Sequence, residues 1–343
     1  MLEPGVTDLD DLPVVSVMIP TKNNQDTVFR CIDSVLSVDY PAEKLEILVL
    51  DSSSPPLTLP EGVKDRVTIL FRDYSPPAAY NSLLPRAKGD IVAFIDSDAV
   101  ADRTWLRRLI DGFTDQQAGA VGGHIRTWNR ENPLARSIGY ELEGRYLRMP
   151  DRILRISTSN LAVRKDVLVR IGGFDERLRT GYDAKLGLEI NKLGYAIKFN
   201  PEAVVYHYHR PSFAKFFQQQ RTYAVNDVML YLSGFPMRQD NVTTPWMLVE
   251  LSGWILAAVL GLAAVLTAIA WNGLGTVPAV SAFLALLVVL LASMMFRGLA
   301  AAVARRDPVA LVFYPVMLAT RAAAWIIGGL EGMIKLVRRT DKA

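Results

Sequence analysis

Residues 251–296 contain no charged side chain, a run of 46 positions. No helix of a water-soluble domain needs such a run, and at about 20 residues per crossing it fits two membrane spans. The spans are expected at 246–271 and 276–296, with Asn272-Gly273-Leu274-Gly275 as the turn and Trp246, Trp254 and Trp271 marking interfaces. A third apolar segment, 309–334, contains Pro315 and Arg321 and is followed by Lys335, Arg338 and Arg339. Two spans would return Arg297, Arg305 and Arg306 to the side from which the chain entered, as the positive-inside bias requires. A third crossing would carry Lys335 to Arg339 to the far side, against it. The segment therefore either spans against the bias, re-enters, or lies flat. Arg321 within it is costly unless it snorkels or pairs with a lipid phosphate or Glu331.

The rest of the 343 residues can bury a sizeable core without staples. One cysteine, Cys31, rules out an intrachain disulfide and fits a reducing compartment. Residues 1–13 form an acidic, turn-rich extension with neither a basic flank nor an apolar stretch, so no signal peptide is expected. The net charge of +3 gives no reason to expect a nucleic-acid partner.

Between 14 and 212 the pattern is α/β. Apolar runs at Val14–Pro20, Leu45–Leu50, Val67–Leu70 and Ile91–Ile95 read as strands, and Thr27–Val38 and Pro77–Leu84 between them as helices. This alternation predicts a mostly parallel central sheet with ligands at the carboxyl ends of the strands. Three polar loops fall there: Thr21–Asn24, Asp51–Ser54 and Asp96-Ser97-Asp98. Two carboxylates two residues apart at a strand end can hold a divalent cation and a phosphate-bearing ligand, although Asp and Ser are also ordinary turn residues. Neither a Gly-x-Gly-x-x-Gly fingerprint nor a P-loop follows the first strand. Residues 129–156 read as irregular and charged, either a loop closing over an anion or solvated surface. Ala184–Leu193 reads as a helix, Ala196–Phe199 and Ala203–Tyr206 as strands. Phe213–Tyr231 is amphipathic, either interfacial or an ordinary domain-edge helix.

Taken together, the motifs resemble the family 2 glycosyltransferases. The resemblance lies in Val15-Ser16-Val17-Met18-Ile19-Pro20-Thr21-Lys22-Asn23, in Asp51 with Ser54, in Ala79-Tyr80-Asn81, and in Asp96-Ser97-Asp98. Ser159-Asn160-Leu161-Ala162, Gly172-Gly173-Phe174-Asp175-Glu176 and Asp183 carry the acceptor half. Ser52 stands where the family shows a second aspartate, and Tyr182 where it shows a glutamate. The resemblance implies a GT-A nucleotide-sugar-binding domain at 14–212, divided into a nucleotide-binding half at 14–100 and an acceptor half at 101–212. A linker at 213–245 and C-terminal transmembrane helices then follow. It further implies transfer, with inversion, from a nucleotide-diphosphate sugar to a lipid-linked acceptor at the cytoplasmic side of the inner membrane. A second copy of the chain is kept among the partners.

In that reading Asp98 and Asp96 hold Mg²⁺ or Mn²⁺, with His209 favoured over His207 to complete the site, and Asp183 is the general base. Pro20, Thr21, Asn23, Asp51 and Asn81 line the nucleotide sugar. Arg221 holds the diphosphate or forms a structural ion pair. His124 is taken as structural. Two rivals stay open: a processive synthase, disfavoured by Thr222 where a Trp is expected after Gln218-Gln219-Gln220-Arg221, and an inactive membrane scaffold of the same fold.

Overall fold

The computed structural model describes residues 11–232, 235, 245–270 and 273–340. Most of the expected N-terminal extension, most of the second half of the linker, Trp271 at the end of the first expected span and Asn272 of the expected turn lie outside the described residues. Two compact units form. One comprises the chain up to Asn129 together with Glu141–His209; the other comprises Arg130–Tyr140 and the chain from Arg210 onward. Of the expected acceptor half, 101–212, Arg130–Tyr140 and the three residues from Arg210 group with the C-terminal helices.

The first unit is built on a nine-stranded sheet. Its strands are β1 (Val15–Thr21), β2 (Leu45–Asp51), β3 (Thr68–Phe71), β4 (Ile91–Phe94), β5 (Ala99–Ala101), β6 (Ala118–Thr127), β7 (Arg152–Ile153), β8 (Leu161–Arg164) and β9 (Ala196–His207). The order is β3-β2-β1-β4-β8-β6-β9-β5, with β7 also on β9. The ladder β3-β2-β1-β4 is parallel throughout, and β6 pairs parallel with β9. Antiparallel pairing enters with β8, β5 and β7. Thr21 lies opposite Asp51 and Met18 opposite Phe94, so the three expected polar loops leave the same edge.

The helices are α1 (Gln25–Leu36), α2 (Glu61–Lys64), α3 (Pro76–Leu83), α4 (Trp105–Asp111), α5 (Pro133–Tyr146), α6 (Lys165–Ile171) and α7 (Tyr182–Lys192). On α1, Val28, Cys31, Ile32 and Val35 form the buried stripe against the sheet. The helix α5 occupies part of the stretch expected to be irregular. Asn132 caps it by accepting from the Ala135 amide at 2.9 Å, and Pro133 takes the first helical position. Its apolar positions 134, 138, 142 and 146 keep a four-residue spacing that interspersed charges obscure.

Asn160 is the polar hub of the core. Where β6 and β9 slip register after Gly123, its carboxamide donates to the carbonyls of His124 (3.0 Å) and Ala203 (2.8 Å). It accepts from the Trp105 indole at 2.8 Å. Gly123 is required beside it: an added methyl group would lie 2.6 Å from the Asn160 nitrogen.

The second unit holds α8 (Phe213–Leu232), α9 (Pro245–Ile269), α10 (Gly273–Arg305) and α11 (Ala310–Thr340). Three of these, α9, α10 and α11, are long and apolar enough to cross a membrane. The second expected span, 276–296, lies inside a helix that runs on to Arg305. The start of α5 belongs with this unit because Asp307, in the turn between α10 and α11, accepts from Arg136 Nε and Tyr140 Oη, both at 2.8 Å.

Asn160→Ala strips one buried donor and two buried acceptors of their partners, which should cost roughly 2–4 kcal/mol. Thermal unfolding of the detergent-solubilised protein checks this, with the midpoint expected to fall by several degrees.

Candidate active site

The apolar strand β4 delivers Ile95-Asp96-Ser97-Asp98 to the sheet edge, and the chain turns at once into β5. The short β5 pairs antiparallel with the end of β9, placing Ala99 opposite His207, and the Asp98 carbonyl accepts the Tyr208 amide at 2.8 Å. This register brings His207 Nε2 to 3.2 Å from Asp98 Oδ1 and 3.6 Å from Asp96 Oδ2. One ligand atom from each of the three residues lies within 4.8 Å of the others. The Ser159 hydroxyl donates to Asp96 Oδ2, Asn24 Nδ2 donates to Ser97 Oγ at 3.0 Å, and the Cys31 thiol donates to the Asp96 carbonyl at 3.4 Å. Burial opposes charge on His207, but Asp98 and Asp96 outweigh it and raise the imidazole pKa to about 10.

The histidine at this cluster is His207, where the sequence favoured His209. Alternation alone cannot separate the two; the position of the last ladder pair does, because β9 ends at His207. Beyond it the backbone of His209 is clamped by Asn129, whose carboxamide accepts from the His209 amide at 3.0 Å and donates to its carbonyl at 2.9 Å. The two rings lie 5.4 Å apart.

The first two loops brace each other. Asn23 adopts a left-handed φ of 55°, its amide donates to Ser53 Oγ (2.8 Å), and its side chain accepts from the Ser54 amide (3.0 Å). Asp51 is buried, and its two oxygens accept the amides of Ser53 (2.9 Å) and Leu57 (2.5 Å). The carboxylate expected to meet a base ring thus also shapes its own loop, with lone pairs to spare. Ser52, in place of the expected aspartate, donates to the Arg72 carbonyl at 2.6 Å and accepts from the Tyr74 amide at 3.2 Å, tying β2 to the chain beyond β3. Pro20 is half-buried and Thr21 buried at the same edge.

In the half expected to meet the acceptor, Asp183 occupies the first turn of α7. Gly181 precedes that helix with a φ of 75°, and Asp183 Oδ1 accepts from the Ala184 amide at 2.8 Å. A helix N-terminus favours the carboxylate form. Tyr182 packs its ring at 5.8 Å on Phe174, which lies 5.3 Å from Phe94 and 5.0 Å from Tyr80. Asn81, expected at the nucleotide sugar, is tied to the Phe174 backbone. It accepts from the Phe174 amide (2.7 Å) and donates to the Phe174 carbonyl (2.8 Å) and Glu176 (2.9 Å). Arg221 lies in the second unit and pairs with Glu331, its Nε 3.0 Å from Oε2. Arg321, expected to snorkel or to pair with a lipid phosphate or Glu331, instead lies 3.7 Å from Glu250.

The structure therefore groups Asp96, Asp98 and His207, and separately sets Asp183 on the start of α7. The local sequence does not mark Ser159, Asn24 and Asn129 for these roles. Ser159 sits inside a motif already visible, whereas a clamp spanning 80 residues, as from Asn129 to His209, leaves no local trace.

Residues 13–224 match the family described as "Glycosyltransferase like family 2". The chain belongs to the family 2 glycosyltransferases, and it is a glycosyltransferase. It is 27% identical over 254 residues to the glycosyltransferase AglE of Haloferax volcanii, covering 69% of this chain and 81% of that protein. The probable glycosyltransferase YdaM of Bacillus subtilis is 27% identical over 244 residues, and there the chain spans about half of the relative's length, 63% of this chain against 55% of YdaM. The "dolichyl N-acetyl-alpha-D-glucosaminyl phosphate 3-beta-D-2,3-diacetamido-2,3-dideoxy-beta-D-glucuronosyltransferase" of Methanococcus voltae is 23% identical over 248 residues, covering 64% of this chain and 75% of that one. Among solved structures, the mannosyltransferase PcManGT of Pyrobaculum calidifontis, in complex with GDP-Man and Mn²⁺, has the same fold. Its TM-score is 0.57 at 21% identity, over 94% of this chain and 90% of that one.

A histidine whose folded pKa is raised stabilises the fold fully below its unfolded pKa of about 6.5, and this stabilisation is lost as pH rises through about 10. The metal-free protein should therefore lose thermal stability between pH 6.5 and 10. His207→Asn should flatten that part of the pH profile.

Proposed function

We propose that this chain is a membrane-bound, inverting enzyme that moves a sugar from a nucleotide-diphosphate donor to a lipid-linked acceptor, working at the cytoplasmic side of the inner membrane. The observation that carries the reading is the cluster of Asp96, Asp98 and His207 at the carboxyl edge of the sheet. Two carboxylates and one imidazole, each offering an atom within 4.8 Å of the others, fit Mn²⁺ or Mg²⁺ as a donor set. Bound there, a divalent cation supplies charge neutralisation for the diphosphate leaving group.

The chain's own residues do the rest. Asp96 is oriented by Ser159, and His207 by the β5–β9 ladder. The loops of Thr21–Asn24 and Asp51–Ser54 line the nucleoside side, Asp51 holding its loop open by two backbone hydrogen bonds. Asp183 takes the proton of an acceptor hydroxyl while the acceptor oxygen displaces the diphosphate from the opposite face of the anomeric carbon. Toward a phosphate acceptor, which is already ionised, Asp183 acts by placing it. The complex of PcManGT with GDP-Man and Mn²⁺ supports the donor class. The dolichyl phosphate in the name of the Methanococcus voltae relative, with the apolar helices here, supports a lipid-borne acceptor.

The reading is tested by nucleotide release from a panel of nucleotide sugars, using purified protein supplied with membrane lipids. Asp98→Ala should lose both Mn²⁺ binding and release. Asp183→Asn should keep Mn²⁺ binding while turnover on a hydroxyl acceptor falls by about 10²–10⁴-fold. Wild-type release rates in Asp98→Ala would sink the proposal, and absence of release from every donor and acceptor with the wild type would favour an inactive scaffold.

A further inference from the structure

The helix α11 is apolar enough to cross a membrane, yet its neighbours place it elsewhere. The charge-free run folds as an antiparallel hairpin of α9 and α10. A methyl group added to Gly253 would come within 2.9 Å of Leu290, and one added to Gly261 within 3.4 Å of Phe283. α11 meets this hairpin at its open end. Glu250 Oε2 accepts from Arg297 Nη1 at 2.7 Å and lies 3.7 Å from Arg321 Nη2. Arg297 sits over the Tyr314 ring at 6.0 Å, and Gly298 makes room for Pro315. Met294 and Ala302 are buried with Ala310, Met317, Leu318 and Ala322. Trp254 packs on the same cluster, and all of these hairpin residues lie within four positions of the edge of the run 251–296 or outside it. Arg321 is thereby at the rim of the apolar layer and not at its centre.

Beyond Arg321 the companion of α11 is α8. Trp325 Nε1 donates to Gln220 at 3.0 Å, and Arg221 pairs with Glu331. Gly328 is seated on the carbonyl of Arg221, and Gly332 2.9 Å from that of Val225, as measured to an added methyl for the latter. Near the helix starts, Phe213 stacks on Phe313 at 6.0 Å. α8 therefore follows α11 in the same direction from end to end. In twenty residues it carries Lys215, three glutamines, Arg221, Asn226 and Asp227. A helix of that polarity does not accompany a neighbour through hydrocarbon.

The opposite face of α11 is apolar and exposed. Val312, Val316, Ile327, Leu330, Ile334 and Val337 are 45–64% exposed. At 100° per residue they fall within an arc of about 80°. The most apolar window of α11 is 44% buried in protein, against 11% for α9 and for α10. One face is thus covered by α8 and the hairpin mouth, and one stripe is left for lipid. Lys335 and Arg338 are exposed near its end.

We propose that the chain crosses the bilayer twice, through α9 and α10, and that the α8–α11 pair lies along the membrane surface. The stripe from Val312 to Val337 sits in the headgroup–acyl boundary of a phospholipid bilayer, with Lys335 and Arg338 facing lipid phosphate. Both chain termini then lie on one side of the membrane. Arg297, Arg305, Arg306, Lys335 and Arg338 lie there too, as the positive-inside bias requires.

Two measurements on the full chain in lipid test this. With an epitope tag at each terminus in sealed, uniformly oriented vesicles, added protease should remove both tags or spare both. Removal of one alone would overturn the proposal. Single cysteines replacing the exposed Val316, Ile327 and Ile334, labelled with a fluorophore and quenched by bromolipids, should report the same shallow depth, with the wild type, whose Cys31 is fully buried, as the blank. Depths that progress from one interface through the bilayer centre would refute an in-plane helix.

Discussion

The site depends on one short antiparallel pairing, three residues of β5 against the end of β9. It binds the segment that carries the acidic pair to a strand from the far half of the sheet. Without it, Asp96 and Asp98 would sit on a free turn and His207, more than 100 residues later, would have no fixed relation to them. His207 and His209 share one face of an extended run, so it is the point where the pairing stops, with His207 opposite Ala99, that selects which histidine meets the carboxylates. Charge then consolidates the arrangement, since two acids and a buried imidazole hold one another in place as long as the ring is protonated.

The parallel ladder of the fold was legible because three of its four strands end in a visible polar loop, and the run at 251–296 announced the hairpin by composition alone. Legibility failed where contacts are long-range. The sequence marks Asn81 as a ligand residue because it sits in a motif beside the first polar loops. Its carboxamide also serves as a substitute strand partner for Phe174, as that of Asn129 does for His209. A side-chain amide can present an N–H donor and a C=O acceptor side by side, as a peptide edge does, so it can pin a backbone that has left its ladder. Nothing in the local sequence separates that use from ligand binding. The helix α5 was hidden for a different reason: its charged positions broke the apolar pattern, although Asn132-Pro133 is an ordinary start signal.

The membrane region shows where composition stops being informative. Hydropathy treats α11 like α9 and α10, because it sees only the helix itself. The deciding term is the neighbour. Lys215, Arg221 and Asp227 on α8 would each cost about 2.5–3.5 kcal/mol at a bilayer centre. Arg297 and Glu250, flanking the charge-free run on its two helices, mark one rim by pairing across it.

Tyr182 carries a consequence of its own. An acid beside Asp183 would have to be solvated or paired, and either arrangement would weaken as ions screened it. The tyrosine instead plugs its ring into the cluster of Phe174, Tyr80 and Phe94. The start of α7 is therefore held from behind by packing, which dissolved salt does not screen.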